Sequence, residues 1–251
     1  MTGFAIGFLA GVFGALVGLG GGVVMVPLLV AWSKLRQHEA HGTSLLAVSA
    51  TALVGGGTYA QAGAVDLAGA AALTVTAMLT ARLGARFTRR LDPLSLRRVF
   101  GGFLILTALL LPFKQHLPHV AAGGAGAFST IILLFAGALA GFASGLLGIG
   151  GGTVMVPALV LGAGFPQQLA QGTSLAAMIL PAWVGALTHY RLGHVRGEIA
   201  PWLLAGIAVG AYAGGSLALG LPEGILRGVF ALVLLWTGTR YVRSRTRGEQ
   251  R

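Results

Sequence analysis

Long apolar segments without charge dominate the pattern of this chain. No Asp, Glu, Lys or Arg occurs between Met1 and Ser33, and none occurs in the 76 residues from Gln115 to Tyr190. Because one membrane-spanning helix needs about 20 apolar residues, each stretch has room for several helices. The pattern predicts hydrophobic helical segments at about 2–32, 43–62, 65–83, 99–113, 128–161, 173–190, 199–219 and 225–242.

The composition agrees with a protein of the lipid bilayer. The 251 residues are 55% hydrophobic and 9% charged, and the mean hydropathy is +0.84. A soluble domain has roughly 25% charged residues, so we predict an all-α polytopic membrane protein. The net charge of +11 does not indicate nucleic-acid binding, because the basic residues flank apolar segments. Zero Cys excludes disulfides and thiolate chemistry.

The sequence repeats itself after 130 residues. The segment GLGGGVVMVP begins at Gly18 and returns as GIGGGTVMVP at Gly148, and GTSL begins at both Gly42 and Gly172. Two copies of one architecture are therefore predicted within the chain. We expect a first repeat at 1–114, a linker at 115–127 and a second repeat at 128–251 that ends in a basic tail.

The positions of the Lys and Arg residues predict how the two repeats are oriented. If all eight segments crossed simply, nine of these 17 residues would be cytoplasmic and eight would lie outside. If equivalent loops face opposite sides, 15 are cytoplasmic and only Lys114 and Arg227 remain outside. Because Lys and Arg are retained on the cytoplasmic side, the pattern favours inverted-topology repeats and a cytoplasmic C-terminus.

Three consecutive glycines interrupt the first apolar segment of each repeat. After Gly22 the apolar residues from Val23 to Trp32 form only about 15 Å of helix, half of a hydrocarbon core of about 30 Å. Each repeat is therefore predicted to hold a Gly-broken helix pair, re-entrant or half-length, and three spanning helices. Close helix packing is the alternative explanation for the glycines. An additional full membrane crossing before Gly148 is a further alternative, because it would leave every charge on the same side of the membrane.

The broken segments are the predicted binding site. Backbone groups freed at membrane depth need a partner, and the positive ends of half-helices favour an anion. The hydroxyl groups that follow each break can cap a helix or donate to an oxyanion. The candidate substrate-binding residues are Gly20, Gly21, Gly22, Thr43, Ser44, Gly150, Gly151, Gly152, Thr173 and Ser174.

Titratable side chains are scarce within the apolar segments. All six acidic residues lie in or beside predicted loops, which argues against a carboxylate-based cation site or proton relay. A proton-coupled step would need His41 or His189, for which a structural role is the alternative. Tyr59 is predicted to anchor its helix at the membrane interface. Ser144 with His189 leaves a rhomboid-like serine protease as a remote alternative, and neither a cofactor nor a metal is expected.

Paired Gly-x-Gly-Gly-Gly-x-x-x-x-Pro segments, each followed by Gly-Thr-Ser, resemble the sulfite exporter TauE/SafE family, also called the toluene-sulfonate uptake permease family. The resemblance extends from about Gly3 to Arg243. It implies a bacterial inner-membrane transporter, not an enzyme, that moves sulfite or organosulfonates by alternating access. An anion channel is the alternative. The expected partners are a small anion and lipid. Whether the protein forms a homo-oligomer, the direction of transport and the coupling ion stay open.

Overall fold

A computed structural model describes residues 2–87, 93–116, 127–147, 151–193 and 195–243 of the chain. These residues form ten α-helices, and no strand occurs among them. The first half contains α1 (Thr2–Val17), α2 (Gly22–Trp32), α3 (Gln37–Gln61), α4 (Leu67–Phe87) and α5 (Pro93–Leu110), which a 3₁₀ turn (Leu111–His116) extends. The second half contains α6 (Ala127–Leu147), α7 (Gly152–Pro157) with a π-helical turn (Ala158–Gly162), α8 (Gln167–Arg191), α9 (Ala200–Gly220) and α10 (Glu223–Val242). We call α7 with its π-helical turn the second short helix, and α2 the first.

The helices of the two halves correspond at an offset of 130 residues. α3 and α8 match at both ends, α1 and α6 end at equivalent residues, and both short helices begin at equivalent glycines. The all-α prediction is confirmed by these residues. The repeated sequence motif therefore marks a repeated element of structure.

α3 and α8 begin six residues before the apolar segments that predicted them. The additional turns are polar, and in α3 the backbone N–H of Arg36 donates to Glu39 Oε2 at 3.1 Å. A carboxylate in the first turn also interacts favourably with the positive end of the helix dipole. Hydropathy alone finds the apolar part of such a helix and leaves out its polar first turns.

Apart from the two short helices, each helix of one half packs mainly against a helix of the other half. The four main pairs are α1 with α9, α6 with α4, α3 with α8, and α5 with α10. Equivalent residues make equivalent contacts, because Gly7 faces the backbone of Leu203 and Gly137 faces that of Leu73. The two halves are therefore interdigitated and do not sit side by side as separate domains.

α3 and α8 pack against each other in antiparallel orientation. Gly55 of α3 contacts Leu175 of α8, and Gly185 of α8 contacts Leu45 of α3. Gly55 is equivalent to Gly185 and Leu45 to Leu175, so the 130-residue offset converts each contact into the other. Such an exchange between antiparallel helices requires an approximate two-fold axis perpendicular to them.

Large apolar side chains cover much of the outer surface. Leu67, Val99 and Phe135 are 74%, 73% and 70% exposed, which suits contact with lipid tails rather than water. Within the described ranges, α8, α9 and α10 are long and apolar enough to cross a membrane. Shorter apolar helices are Thr2–Val17, Gly22–Trp32, Leu67–Ala81, Thr130–Ser144 and Gly152–Gly162.

Candidate functional site

The first glycine break is a buried turn that folds α2 back onto α1. Gly18, Gly20 and Gly21 have φ of 75°, 71° and 79°, in the left-handed region that favours glycine. The backbone N–H groups of Leu19 and Gly20 both donate to the carbonyl of Gly14, at 3.1 and 3.2 Å. A Cβ on Gly21 would lie 2.5 Å from the carbonyl oxygen of Ala10. Only glycine allows the two helices to approach this closely.

The second break is described from Gly151 onward, and the predicted site residue Gly150 lies outside the described residues. The carbonyl of Gly151 accepts hydrogen bonds from the N–H groups of Val154 and Met155, both at 3.0 Å. The equivalent carbonyl of Gly21 accepts from Val24 and Met25 at 3.1 and 2.9 Å. Both short helices therefore begin with the same first turn.

The two glycine motifs contact each other next to α3 and α8. A Cβ on Gly152 would lie 2.8 Å from the carbonyl oxygen of Gly18 and 3.0 Å from Cα of Leu19. Gly20 lies against Val48 of α3 and Met178 of α8, which are equivalent residues of the two halves. The structure thus brings together predicted site residues that are 130 positions apart in sequence.

Polar side chains of α8 surround Gly18. Ser174 Oγ donates to the Gly18 carbonyl at 3.3 Å, and Cβ and Cγ of Gln171 pack against Gly18. Gln171 Oε1 lies 2.9 Å from the hydroxyl of Tyr59, which is also 3.1 Å from the carbonyl of Ala15. Gln171 and Tyr59 are both 0% exposed. The prediction that Tyr59 is an interface anchor is therefore wrong, since its hydroxyl joins α3 to α8 and α1 inside the protein.

Two buried polar groups in or next to this contact have no hydrogen-bond partner among the described residues. They are Gln171 Nε2 and Thr153 Oγ1, and Thr153 directly follows the Gly152 that contacts Gly18. Leaving a buried donor unpaired costs about 1–3 kcal/mol. Neither residue is among the predicted site residues, because the repeat does not conserve them: the equivalents of Gln171 and Thr153 in the first half are His41 and Val23.

Thr43 and Thr173 bind loops of the opposite half. Thr43 Oγ1 accepts from the backbone N–H of Arg196 at 3.3 Å, and Thr173 Oγ1 accepts from that of Asp66 at 3.0 Å. These bonds are equivalent under the 130-residue offset. They lie at opposite ends of the antiparallel α3–α8 pair, so the structure does not bring Thr43 and Thr173 together. Ser44 is buried beside Thr43.

His41 and His189 face each other, with ring centroids 6.5 Å apart at an interplanar angle of 69°. These residues are the equivalents of Gln171 and Tyr59, and both imidazoles are half-buried. Two imidazole rings therefore meet at the place that is equivalent to the Tyr59–Gln171 contact. No group of three or more metal-ligating side chains occurs in the part of the chain that was described.

Comparison with known proteins identifies the family. The model of the sulfite exporter TauE/SafE family matches residues 3–241. The chain belongs to this family. It is 32% identical over 238 residues to the probable membrane transporter protein YunE of Bacillus subtilis (strain 168), covering 84% of each chain.

Other relatives carry similar names. The chain is 30% identical over 244 residues to a probable membrane transporter protein of Xylella fastidiosa (strain 9a5c), covering 94% of this chain and 88% of the relative. It is 27% identical over 200 residues to the probable membrane transporter protein MJ0441 of Methanocaldococcus jannaschii, covering 77% and 73%. No solved structure matches the chain. Family membership and the apolar helices make this protein a multi-pass membrane transporter.

Proposed function

We propose that this transporter moves small sulfur-containing anions, sulfite or organosulfonates, across the inner membrane by alternating access. One observation carries the proposal: within the described residues, the buried Gln171 Nε2 and Thr153 Oγ1 have no hydrogen-bond partner beside the contact between the two glycine breaks. An oxyanion has several acceptor oxygens and would satisfy both groups. Family membership supports sulfur oxyanions as the substrate class.

The chemistry of the surrounding groups favours an anion over a cation. Thr153 lies in the first turn of the second short helix, where free N–H groups carry partial positive charge. The side chains that contact Gly18, those of Gln171 and Ser174, are neutral. The proposed site therefore consists of these two side chains, Thr153, and the glycine backbone at Gly20–Gly22 and Gly151–Gly152.

The proposal includes an inverted arrangement of the two halves. The approximate two-fold axis that relates α3 to α8 is perpendicular to both helices, and it would lie in the membrane plane if both helices cross the bilayer. The distribution of Lys and Arg supports the same arrangement, with the C-terminus in the cytoplasm. His41 and His189 are the proposed coupling pair.

Uptake of radiolabelled sulfite into proteoliposomes tests the proposal. We expect saturable uptake that organosulfonates inhibit. Gln171→Leu and Thr153→Val should each raise the KM about tenfold, because each removes a hydrogen bond to a charged ligand. Thr153→Val also installs the residue that the first half has at the equivalent position, Val23.

Two matched variants control for loss of a polar group alone. Gln168→Leu removes an amide that already donates to the carbonyl of Leu221, and Thr51→Val removes a hydroxyl that donates to Ala47 within its own helix. Unchanged KM values for the Gln171 and Thr153 variants in folded protein would refute the proposed site. Flux that rises linearly with sulfite concentration would indicate a channel instead of a carrier.

A further inference from the structure

A cluster of charged side chains lies at the amino-terminal end of α8, apart from the glycine breaks. Lys114 Nζ donates to Glu223 Oε1 at 3.1 Å and to the carbonyl of Phe165 at 2.6 Å. Arg227 Nη2 donates to the same carboxylate oxygen at 2.6 Å. We call Lys114, Glu223 and Arg227 the basic cluster. It joins the end of the first half to the start of α10.

The basic cluster has one more positive charge than negative charge. Glu223 is the carboxylate paired with both cations in the described part of the chain. The side chains of Lys114 and Arg227 are each only 10% exposed. A buried charge is costly unless an opposite charge accompanies it, so the cluster lacks one negative charge.

The cluster also has hydrogen-bond donors to spare. Arg227 Nε is buried and has no hydrogen-bond partner among the residues that the structure describes. An ammonium group has three N–H donors, and the contacts of Lys114 with Phe165 and Glu223 use two of them. A guanidinium fork and an ammonium group are the side chains best suited to the oxygens of sulfate, sulfite or phosphate.

We propose that the basic cluster is a second anion-binding site, distinct from the site at the glycine breaks. It would take one small oxyanion, either free in solution or as the phosphate of an anionic lipid headgroup. The proposal also accounts for a peculiarity of the sequence. Lys114 and Arg227 are the only two basic residues that the predicted topology leaves outside, and the structure holds both on one carboxylate.

A second cluster with the same number of charges provides a control. Glu39 pairs with Arg36 at 3.7 Å and with Arg196 at 3.0 Å. The two arginine side chains are 85% and 46% exposed. Solvent and mobile ions screen exposed charges, so this cluster does not need a bound anion.

Thermal unfolding of the purified full-length chain in neutral detergent tests the proposal. Sodium sulfate should raise the Tm more than sodium chloride of equal ionic strength, because a ligand of the folded state stabilises it. Arg227→Gln should weaken the apparent sulfate affinity about tenfold, since it removes a charge-assisted interaction. Arg36→Gln makes the same charge change and should leave the sulfate affinity unaltered. Glu223→Gln should tighten sulfate binding, because it removes the competing carboxylate.

The same variants in a Gln171→Leu background separate the two sites. An effect of Arg227→Gln in both backgrounds supports the basic cluster, whether or not the site at the glycine breaks binds sulfate. Lys114→Gln replaces Arg227→Gln if the latter does not fold. Equal responses of the Arg36 and Arg227 variants, or equal shifts from sulfate and chloride, would overturn the proposal.

Nanodiscs distinguish a free anion from a lipid headgroup. If the occupant is a headgroup, phosphatidylglycerol should abolish the sulfate response of the native chain relative to phosphatidylcholine alone. If the occupant is a free anion, the response should be the same in both lipids. Either result retains the site, provided that Arg227→Gln weakens the response in phosphatidylcholine.

Discussion

The first and second short helices begin with the same glycine motif but have different surroundings. Every residue from Gly152 to Pro157 is buried, whereas only Met25 and Leu29 are buried in α2 and Trp32 is 53% exposed. The equivalent glycines also differ, because Gly21 has φ of 79° and Gly151 has φ of −74°. The same motif therefore precedes a partly exposed short helix in the first half and a fully buried α7 in the second half.

This difference shows how a duplicated fold can hold an asymmetric site. The unpartnered polar groups, Gln171 Nε2 and Thr153 Oγ1, both belong to the second half. The backbone turn next to them, at Gly18, belongs to the first half. The repeat thus supplies a symmetric frame, and the proposed binding chemistry occupies one of its two equivalent places.

Alanine substitution at the two equivalent glycines should give the largest contrast. Gly21→Ala should destabilise the protein by about 2–4 kcal/mol, because the residue is left-handed and its Cβ would meet the Ala10 carbonyl. In Gly151→Ala the new Cβ would lie 3.1 Å from the flexible end of Met155, so little loss is expected. Thermal unfolding in detergent measures both. Equal losses would show that the two turns are not different in the folded protein.

Removal of the Tyr59 hydroxyl tests the buried contact between the halves. Tyr59→Phe leaves Gln171 Oε1 without its donor, and we expect a loss of about 1–3 kcal/mol in the free energy of unfolding. Tyr190→Phe is the matched control, since Tyr190 is 68% exposed. Chemical denaturation of both variants would compare them. A Tyr59 variant as stable as the control would argue against the hydrogen bond to Gln171.

Thr43→Val and Thr173→Val should have smaller and nearly equal effects. Each variant removes the acceptor of one backbone N–H in a loop of the opposite half, which is worth about 1 kcal/mol. Thr188→Val, an exposed threonine that donates within its own helix, serves as the control. A clear difference between the two variants in thermal unfolding would show that the two ends of the α3–α8 pair are not equivalent.

Replacement of the His41–His189 contact by a second copy of the Tyr59–Gln171 contact should have the smallest effect on stability. The variant His41→Gln with His189→Tyr gives both copies the same side chains. Because imidazole titrates near neutral pH, this variant should reduce any dependence of sulfite uptake on pH between about 5.5 and 7.5. Uptake at fixed sulfite concentration over this range is the measurement. An unaltered pH profile would remove the two histidines from the coupling mechanism.

The helices and their interruption could be predicted from local sequence. Apolar segments bounded by loops, and three glycines before a half-length apolar segment, are properties of neighbouring residues. The pairing of α1 with α9 could not be predicted in this way. It depends on small residues such as Gly7 and Gly206 meeting a facing backbone, and 42 glycines offer many such pairings.

The candidate site was predicted only in part, for a similar reason. The glycines were recognisable because they are consecutive and repeated. Gln171 was not, since its contact with Tyr59 spans 112 residues and exists only when α3 and α8 run antiparallel. Lys114 and Arg227 stood out as exceptions to the charge pattern, yet nothing in the sequence placed them on the same carboxylate.

The close backbone packing between α1 and α9 limits how the protein can change shape. Gly206, Gly210 and Gly214 lie directly against carbonyl groups of α1, and Gly137 and Gly141 of α6 lie against carbonyl groups of α4. Sliding such surfaces past each other would cost many contacts at once. The rigid bodies of a transport cycle are therefore expected to be mixed, each carrying a first helix from one copy and a fourth helix from the other.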